Sequence, residues 1–284
     1  MNDFKLSPKA MVMIQGSSKG TQPKFYENGY WYKQNINGYE GKAEHLCSVV
    51  LSCSNVKNYV IYEECNINNR KGCRSASFLA PNESFLSFER LHEMAGLGHI
   101  DDAIRQFSNC KDRISYIKEF LLTNFNYDCS NYLSQILSLD MLTLNCDRHF
   151  NNLGVVINNE TGICEDAPIF DNGDSLFSNF AIFNKDAYKE NLEKVIARPF
   201  SISHERQALD AGIGLSLDYD LLNKKLKQEP GSRALDVLYI QLDETKRLIP
   251  DIKLEISATE NEIDIHNDED YDEDYDWDPA DDLY

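Results

Sequence analysis

Residues 153–170 read LGVVIN, then NETG, then ICEDAPIF: two short apolar runs around a polar turn. That pattern predicts an antiparallel β-hairpin. Antiparallel pairing returns the chain to the end where it began, so the residues flanking the two strands must meet. Those flanks are LNCDRHFNN before the hairpin and DNG after it. Asn152 and Asp171 therefore share one open end, and Asp147 lies in the loop that enters it. So many polar groups hard against an apolar strand cost folding energy unless a ligand or a reaction uses them.

The hairpin interrupts a chain whose halves differ in pattern. The first eighty residues are β-rich. MVMIQ (11–15) reads as a strand and GSSKGTQP (16–23) as a flexible polar loop with two glycines. KFYENGYWYKQN (24–35) is a hairpin, because Asn28-Gly29 suits a tight turn with positive φ. A helix follows in YEGKAEHLCSVVLSCSN, with Ala43, Leu46 and Val50 on one face. YVIYEEC (59–65) and CRSASFL (73–79) are expected to be strands around the turn NINNRKG. APNES (80–84) is a crossing, with Pro81 and Asn82 breaking both periodicities. Beyond it, helical spacing runs through 85–95, 101–108, 111–125, 130–144, 186–198, 203–211, 218–228 and 232–249. The expectation is an α+β protein of two lobes: residues 1–82, β-rich, and residues 83–256, mainly helical, with a tail at 257–284.

Charge narrows the partners. Thirteen of the 47 acidic residues and none of the 28 basic ones fall in 260–284, so the remainder carries only −6 of the net −19. That mildly acidic body gives nucleic-acid binding no broad electrostatic support and argues against an anionic membrane surface. The tail has too few aliphatics and too much like charge to fold alone. Its Tyr271, Tyr275, Trp277 and Tyr284 leave open a role in partner binding. Eight cysteines are scattered with no CxxC pair, which fits reduced thiols in a cytoplasmic protein. The N-terminus lacks the apolar core of a secretory signal.

Asn152 and Asp171 are hard oxygen donors of the kind Mg²⁺ takes beside phosphates and water. A nearby carboxylate, Asp147, suits proton acceptance from an attacking hydroxyl. Phosphoryl transfer asks for this set together with a lysine on the phosphates. Lys33, at the end of YWYK, can face a cleft beneath the loop of Gly16 and Gly20. Glu44, or Glu40 one helical turn earlier, is placed to pair with it.

NCDRHFNNLGV followed by APIFDNGDSL resembles the HRD…N…DFG set of protein kinases, with the aspartate moved into a DRH triplet. The fuller pattern is similar to HipA-like serine/threonine kinases, especially the short CtkA/HipT-type members. GTQPK (20–24) resembles the GVQPK that closes their phosphate loop, and ARPFSISHERQ (197–207) a helical-lobe signature of the group. The resemblance spans roughly residues 14–250. It implies a bilobal protein-kinase-like fold using ATP and Mg²⁺. Lys33 would hold the α/β-phosphates, Asp147 would be the catalytic base, and Asn152 and Asp171 the metal ligands. Gly16, Ser17, Ser18, Lys19 and Gly20 would cover the phosphates, with Ser17 or Ser18 a site of autophosphorylation. The resemblance also implies a protein substrate, by analogy a translation factor or an aminoacyl-tRNA synthetase, and an antitoxin partner. The DRH geometry also fits a lipid or small-molecule kinase, and the acidic tail a pseudokinase that recruits partners. Asn172-Gly173 replaces Phe-Gly after the metal aspartate, so a DFG-like flip is not expected.

Overall fold

The computed structural model describes residues 1–12, 22–36, 38–178, 188–192 and 194–254. The glycine loop at 16–20, most of the strand expected at 11–15 and the acidic tail lie outside these residues. Six strands form one sheet: β1 (Asn2–Phe4), β2 (Met11–Val12), β3 (Lys24–Glu27), β4 (Tyr30–Gln34), β5 (Glu63–Ile67) and β6 (Arg70–Ala76). Their order is β1-β5-β6-β4-β3-β2. The β3–β4 hairpin closes as expected, with φ of 51° at Asn28 and 76° at Gly29, the pair of positive values a two-residue turn needs. Its register sets Lys24 directly opposite Lys33, so the two side chains share a face.

The strands expected at 59–65 and 73–79 are displaced toward each other. Asn68 and Asn69 both take positive φ, 47° and 65°, and pair Ile67 with Arg70 across a two-residue turn. Asparagine tolerates this conformation, so the turn sits inside NINN rather than spanning seven residues. Residues 59–62 lie outside the sheet: Tyr59 bridges to Ile169, and Val60 N donates to Ile169 O at 3.0 Å. β1 adds in parallel to β5, a pairing no local pattern announces.

Helix α1 (Glu40–Leu51) packs across this sheet, and Gly41 lets it come close to Gly72 of β6. A Cβ on Gly41 would meet the carbonyl carbon of Gly72 at 2.6 Å, and one on Gly72 would meet Lys33 O at 2.1 Å. Lys42 then anchors the helix. Its buried ammonium reaches Glu64 at 2.8 Å and Glu229, from the helical lobe, at 2.7 Å. Gly41→Ala is expected to push α1 off the sheet, lowering stability by about 1–3 kcal/mol. Thermal denaturation checks this, and an unchanged midpoint would contradict the close approach.

After Ala76 the chain crosses to a second sheet. β7 (Glu83–Ser87) pairs with β8 (Gly154–Asn158), which pairs with β9 (Cys164–Asp166), giving the order β7-β8-β9. The helix expected over 85–95 is thus only α2 (Phe88–Met94). Ser87 stops the strand and starts the helix, its side chain accepting from Arg90 N. The hairpin is as expected, with Val155 opposite Asp166 and Ile157 opposite Cys164.

The remaining helices are α3 (Ile100–Ile104), α4 (Cys110–Phe125), α5 (Ser130–Thr143), α6 (Tyr188–Leu192), α7 (His204–Ala211), α8 (Tyr219–Leu226) and α9 (Arg233–Thr245). The helical spacing read over 186–198 yields only the short α6 among the described residues. α5 is buried from Ile136 through Thr143 without a break, so it is the central helix of this lobe, covered on all sides. Among the described residues no helix is long and apolar enough to cross a membrane.

Candidate active site

The hairpin places Asn152 and Asp171 as its topology requires. Asn152 Nδ2 donates to Asp171 Oδ2 at 2.8 Å. From the other lobe, the Lys33 ammonium reaches Asp171 Oδ1 at 2.7 Å and Glu44 Oε1 at 2.8 Å. The uncertainty between Glu40 and Glu44 resolves in favour of Glu44. The Glu40 carboxylate instead accepts from Ile36 N and Gly38 N. Glu44 has a second anchor, since Asn172 N donates to its Oε2 at 2.8 Å. One glutamate therefore ties the lysine of the sheet lobe to the backbone of the metal-site candidate.

Only Asp171 opens to solvent in this trio. Its side chain is 29% exposed, against 9% for Lys33 and 1% for Glu44. Burial disfavours the Asp171 charge, but the Lys33 and Lys24 ammoniums outweigh it and hold the carboxyl well below the usual carboxylate range. Burial likewise works against the Lys33 charge, and Asp171 with Glu44 overcomes it, raising its pKa well above an ordinary lysine. For Glu44 burial wins over Lys33, so its pKa is raised. An ionised, partly exposed carboxylate beside an amide is a donor set that fits Mg²⁺.

Asp171 also carries backbone strain, with φ at 57°, costly for a residue other than glycine. Three contacts hold it there. Its N–H donates to Tyr62 Oη at 3.3 Å, Arg148 Nη1 reaches its carbonyl at 3.5 Å, and Lys33 grips its carboxylate. Lys33 Nζ also lies 3.4 Å from Tyr62 Oη, so Tyr62 braces both members of the ion pair.

Asp147 stands apart from this knot, at the surface. Its side chain is 51% exposed, and Arg198 approaches its Oδ1 at 3.5 Å. The neighbouring Arg148 is the opposite case, fully buried. Its guanidinium grips Asp140 with Nε at 3.0 Å and Nη2 at 2.9 Å, and reaches Phe170 O at 2.7 Å and Asn172 Oδ1 at 2.6 Å. Asp140 also accepts from Asn145 Nδ2 at 3.1 Å, and Asn145 Oδ1 accepts from Asp147 N at 3.1 Å. Asp140 thereby fixes both the loop of Asp147 and the segment of Asp171.

The buried Nδ1 of His149 has no hydrogen-bond partner among the described residues. Burial lowers its pKa, with Asp147 and Asp171 opposing. A cavity of about 280 Å³ opens on this side of the loop, lined by His149, Phe150, Asn151, Glu89 and His99 among others. Cys146, beside Asp147, is a half-buried free thiol. Burial pushes its thiol up to about 12, which leaves no reactive thiolate.

Sequence reasoning missed Asp140, Tyr62, Lys24 and Arg198. The first two sit inside runs that read as core. Lys24 had a signal, since the hairpin register alone sets it opposite Lys33. Gly16, Ser17, Ser18, Lys19 and Gly20 lie outside the described residues.

No family model and no curated protein sequence matches the chain. Among solved structures it is similar to the proinflammatory kinase CtkA of Helicobacter pylori, with a TM-score of 0.57 and 14% identity over 80% of this chain and 90% of that one. HipA, from the Shewanella oneidensis MR-1 toxin–antitoxin complex with HipB and operator DNA, matches at a TM-score of 0.34 and 13% identity. That match covers 87% of this chain and 61% of HipA. The chain has the bilobal, kinase-like α+β fold of CtkA, with a small β-rich lobe and a larger, mainly helical one.

Proposed function

We propose that the chain is an ATP- and Mg²⁺-dependent serine/threonine protein kinase of HipA-like type. The observation that carries this is the buried Lys33 between Glu44 and Asp171, which joins the two lobes at an ionised carboxylate hydrogen-bonded to Asn152. Lys33, its head fixed by Glu44, holds the α/β-phosphates, and Lys24 adds a second positive charge on the same face. Asn152 and Asp171 would hold Mg²⁺, which neutralises charge on the phosphates when bound. Asp147, exposed at the mouth, accepts the proton of the incoming hydroxyl. Gly16, Ser17, Ser18, Lys19 and Gly20 cover the phosphates through backbone N–H groups, and Ser17 or Ser18 takes phosphate in regulation.

The lobes divide at 82/83, and the acidic residues 257–284 belong to neither. The substrate is a protein in the cytoplasm, by analogy a component of the translation machinery, and an antitoxin restrains the enzyme. Mass spectrometry after incubation with Mg²⁺ and ATP tests the activity. Phosphate on serine or threonine is the expected result. ATP binding with no covalent phosphate would leave a pseudokinase, and labelling of lipid vesicles in preference to protein would point to a lipid kinase.

A further inference from the structure

The motif ARPFSISHERQ separates in the structure into buried residues and two exposed arginines, of which Arg206 pairs with Asp210 on its own helix at 2.7 Å and Arg198 faces Asp147. Ala197, Phe200, His204 and Gln207 are buried, whereas the Arg198 side chain is 57% exposed. The buried members bolt this segment to the loop of Asp147. The Phe200 ring meets Phe150 edge-on at 5.5 Å, and His204 Nε2 donates to Asn145 O at 2.8 Å. The segment is braced from behind as well. Gln207 Nε2 donates to Arg198 O at 3.0 Å, Arg113 Nη1 donates to Phe200 O at 3.0 Å, and Ala197 N donates to Ile202 O at 2.9 Å. The Arg198 backbone is thus fixed relative to Asp147, while its guanidinium stands in solvent 3.5 Å from Asp147 Oδ1.

Stability does not account for that contact, because ion pairs between half-exposed groups contribute little. Chemistry does. A phosphoryl group in transit spreads negative charge over its peripheral oxygens and needs cations around it. Lys33 is committed to the Asp171 side of the cleft. Arg148 has its guanidinium taken up by Asp140, Phe170 O and Asn172, buried from solvent. His149 is held neutral by burial. Arg198 is the cation that reaches the Asp147 carboxylate itself, at 3.5 Å, and its planar fork matches phosphate oxygens.

We propose that Arg198 is a catalytic residue whose guanidinium leaves Asp147 as the acceptor hydroxyl arrives there and binds the peripheral oxygens of the γ-phosphoryl group in transit. This holds only if the chain is a kinase. In the step, the acceptor oxygen forms a bond to the γ-phosphorus while the bond from that phosphorus to the β–γ bridging oxygen breaks. The hydroxyl proton passes to Asp147, and the electron pair of the broken bond leaves on ADP. Arg198 exchanges no proton or electron; it neutralises charge and frees the Asp147 carboxylate to receive the proton.

The test compares wild type, Arg198→Gln and Arg198→Lys. One readout is the single-turnover rate of transfer from radiolabelled Mg²⁺–ATP to the chain itself. The other is calorimetric affinity for Mg²⁺–ADP with and without aluminium fluoride, a mimic of the phosphoryl group in transit. Arg198→Gln is expected to slow transfer by roughly 100-fold, to keep the wild-type affinity for Mg²⁺–ADP and to lose the tightening by aluminium fluoride. Arg198→Lys should recover part of both losses. Wild-type rate and full tightening in Arg198→Gln would overturn the role of Arg198 alone. A wild type that binds Mg²⁺–ADP but neither transfers phosphate nor tightens would overturn the kinase function, and Arg198 with it.

Discussion

Replacing Asp140 with alanine is expected to destabilise the protein by about 3–5 kcal/mol, the penalty for leaving a buried charge without its partner. Asp140 and Arg148 are both fully inaccessible to solvent. Arg148 cannot shed its proton, so without Asp140 its charge faces only Phe170 O, Asp171 O and Asn172 Oδ1. Asn145 loses an acceptor in the same step, and with it the support for Asp147 N. Denaturant titration measures the loss. A change below about 1 kcal/mol, the value of an exposed pair, would show that the knot is not the keystone between the two loops. Asp140→Asn, which keeps one oxygen acceptor, should fall between alanine and wild type.

Asp147→Gln is expected to do the reverse: leave the fold intact and slow phosphotransfer by about 100- to 10,000-fold. The Asp147 side chain is half-exposed and its ion pair with Arg198 is a surface one, so little stability rests on it. Glutamine keeps polarity, adds one methylene at an exposed position, and cannot accept the hydroxyl proton. The assay is phosphate incorporation at matched protein concentration, with Mg²⁺–ATP affinity measured alongside. Retained affinity with lost transfer is the expected pair of results. Undiminished transfer would remove Asp147 as the base. The two aspartates, 140 and 147, are thus expected to separate: loss of stability at one, loss of transfer at the other.

Part of this was legible in the residues. The Asn28-Gly29 turn sets a hairpin whose register faces Lys33 into the cleft, and the 153–170 hairpin must bring Asn152 to Asp171. Both inferences are local, resting on turn chemistry and on strand antiparallelism. What escaped is non-local. Asp140 lies in an α5 that reads as an apolar core helix, and its importance exists only because Arg148 is folded against it. Tyr62 lies in an expected strand, yet that stretch leaves the sheet to bridge Ile169. β7 was hidden across the expected crossing (83–84) and the start of a helical pattern (85–87), since its five residues pair only because β8 is there to receive them. Likewise Gly41 says nothing until its helix is brought against the sheet at Gly72.

The central claim is that Lys33 and Asp171 close on the phosphates and metal of one nucleotide. Calorimetric titration of ATP, with and without Mg²⁺, into wild type and Asp171→Asn tests it most directly. Wild type should bind one ATP per chain tightly only when Mg²⁺ is present, and Asp171→Asn should lose that dependence. Equal binding without the metal, or an unaltered metal requirement in the variant, would contradict it.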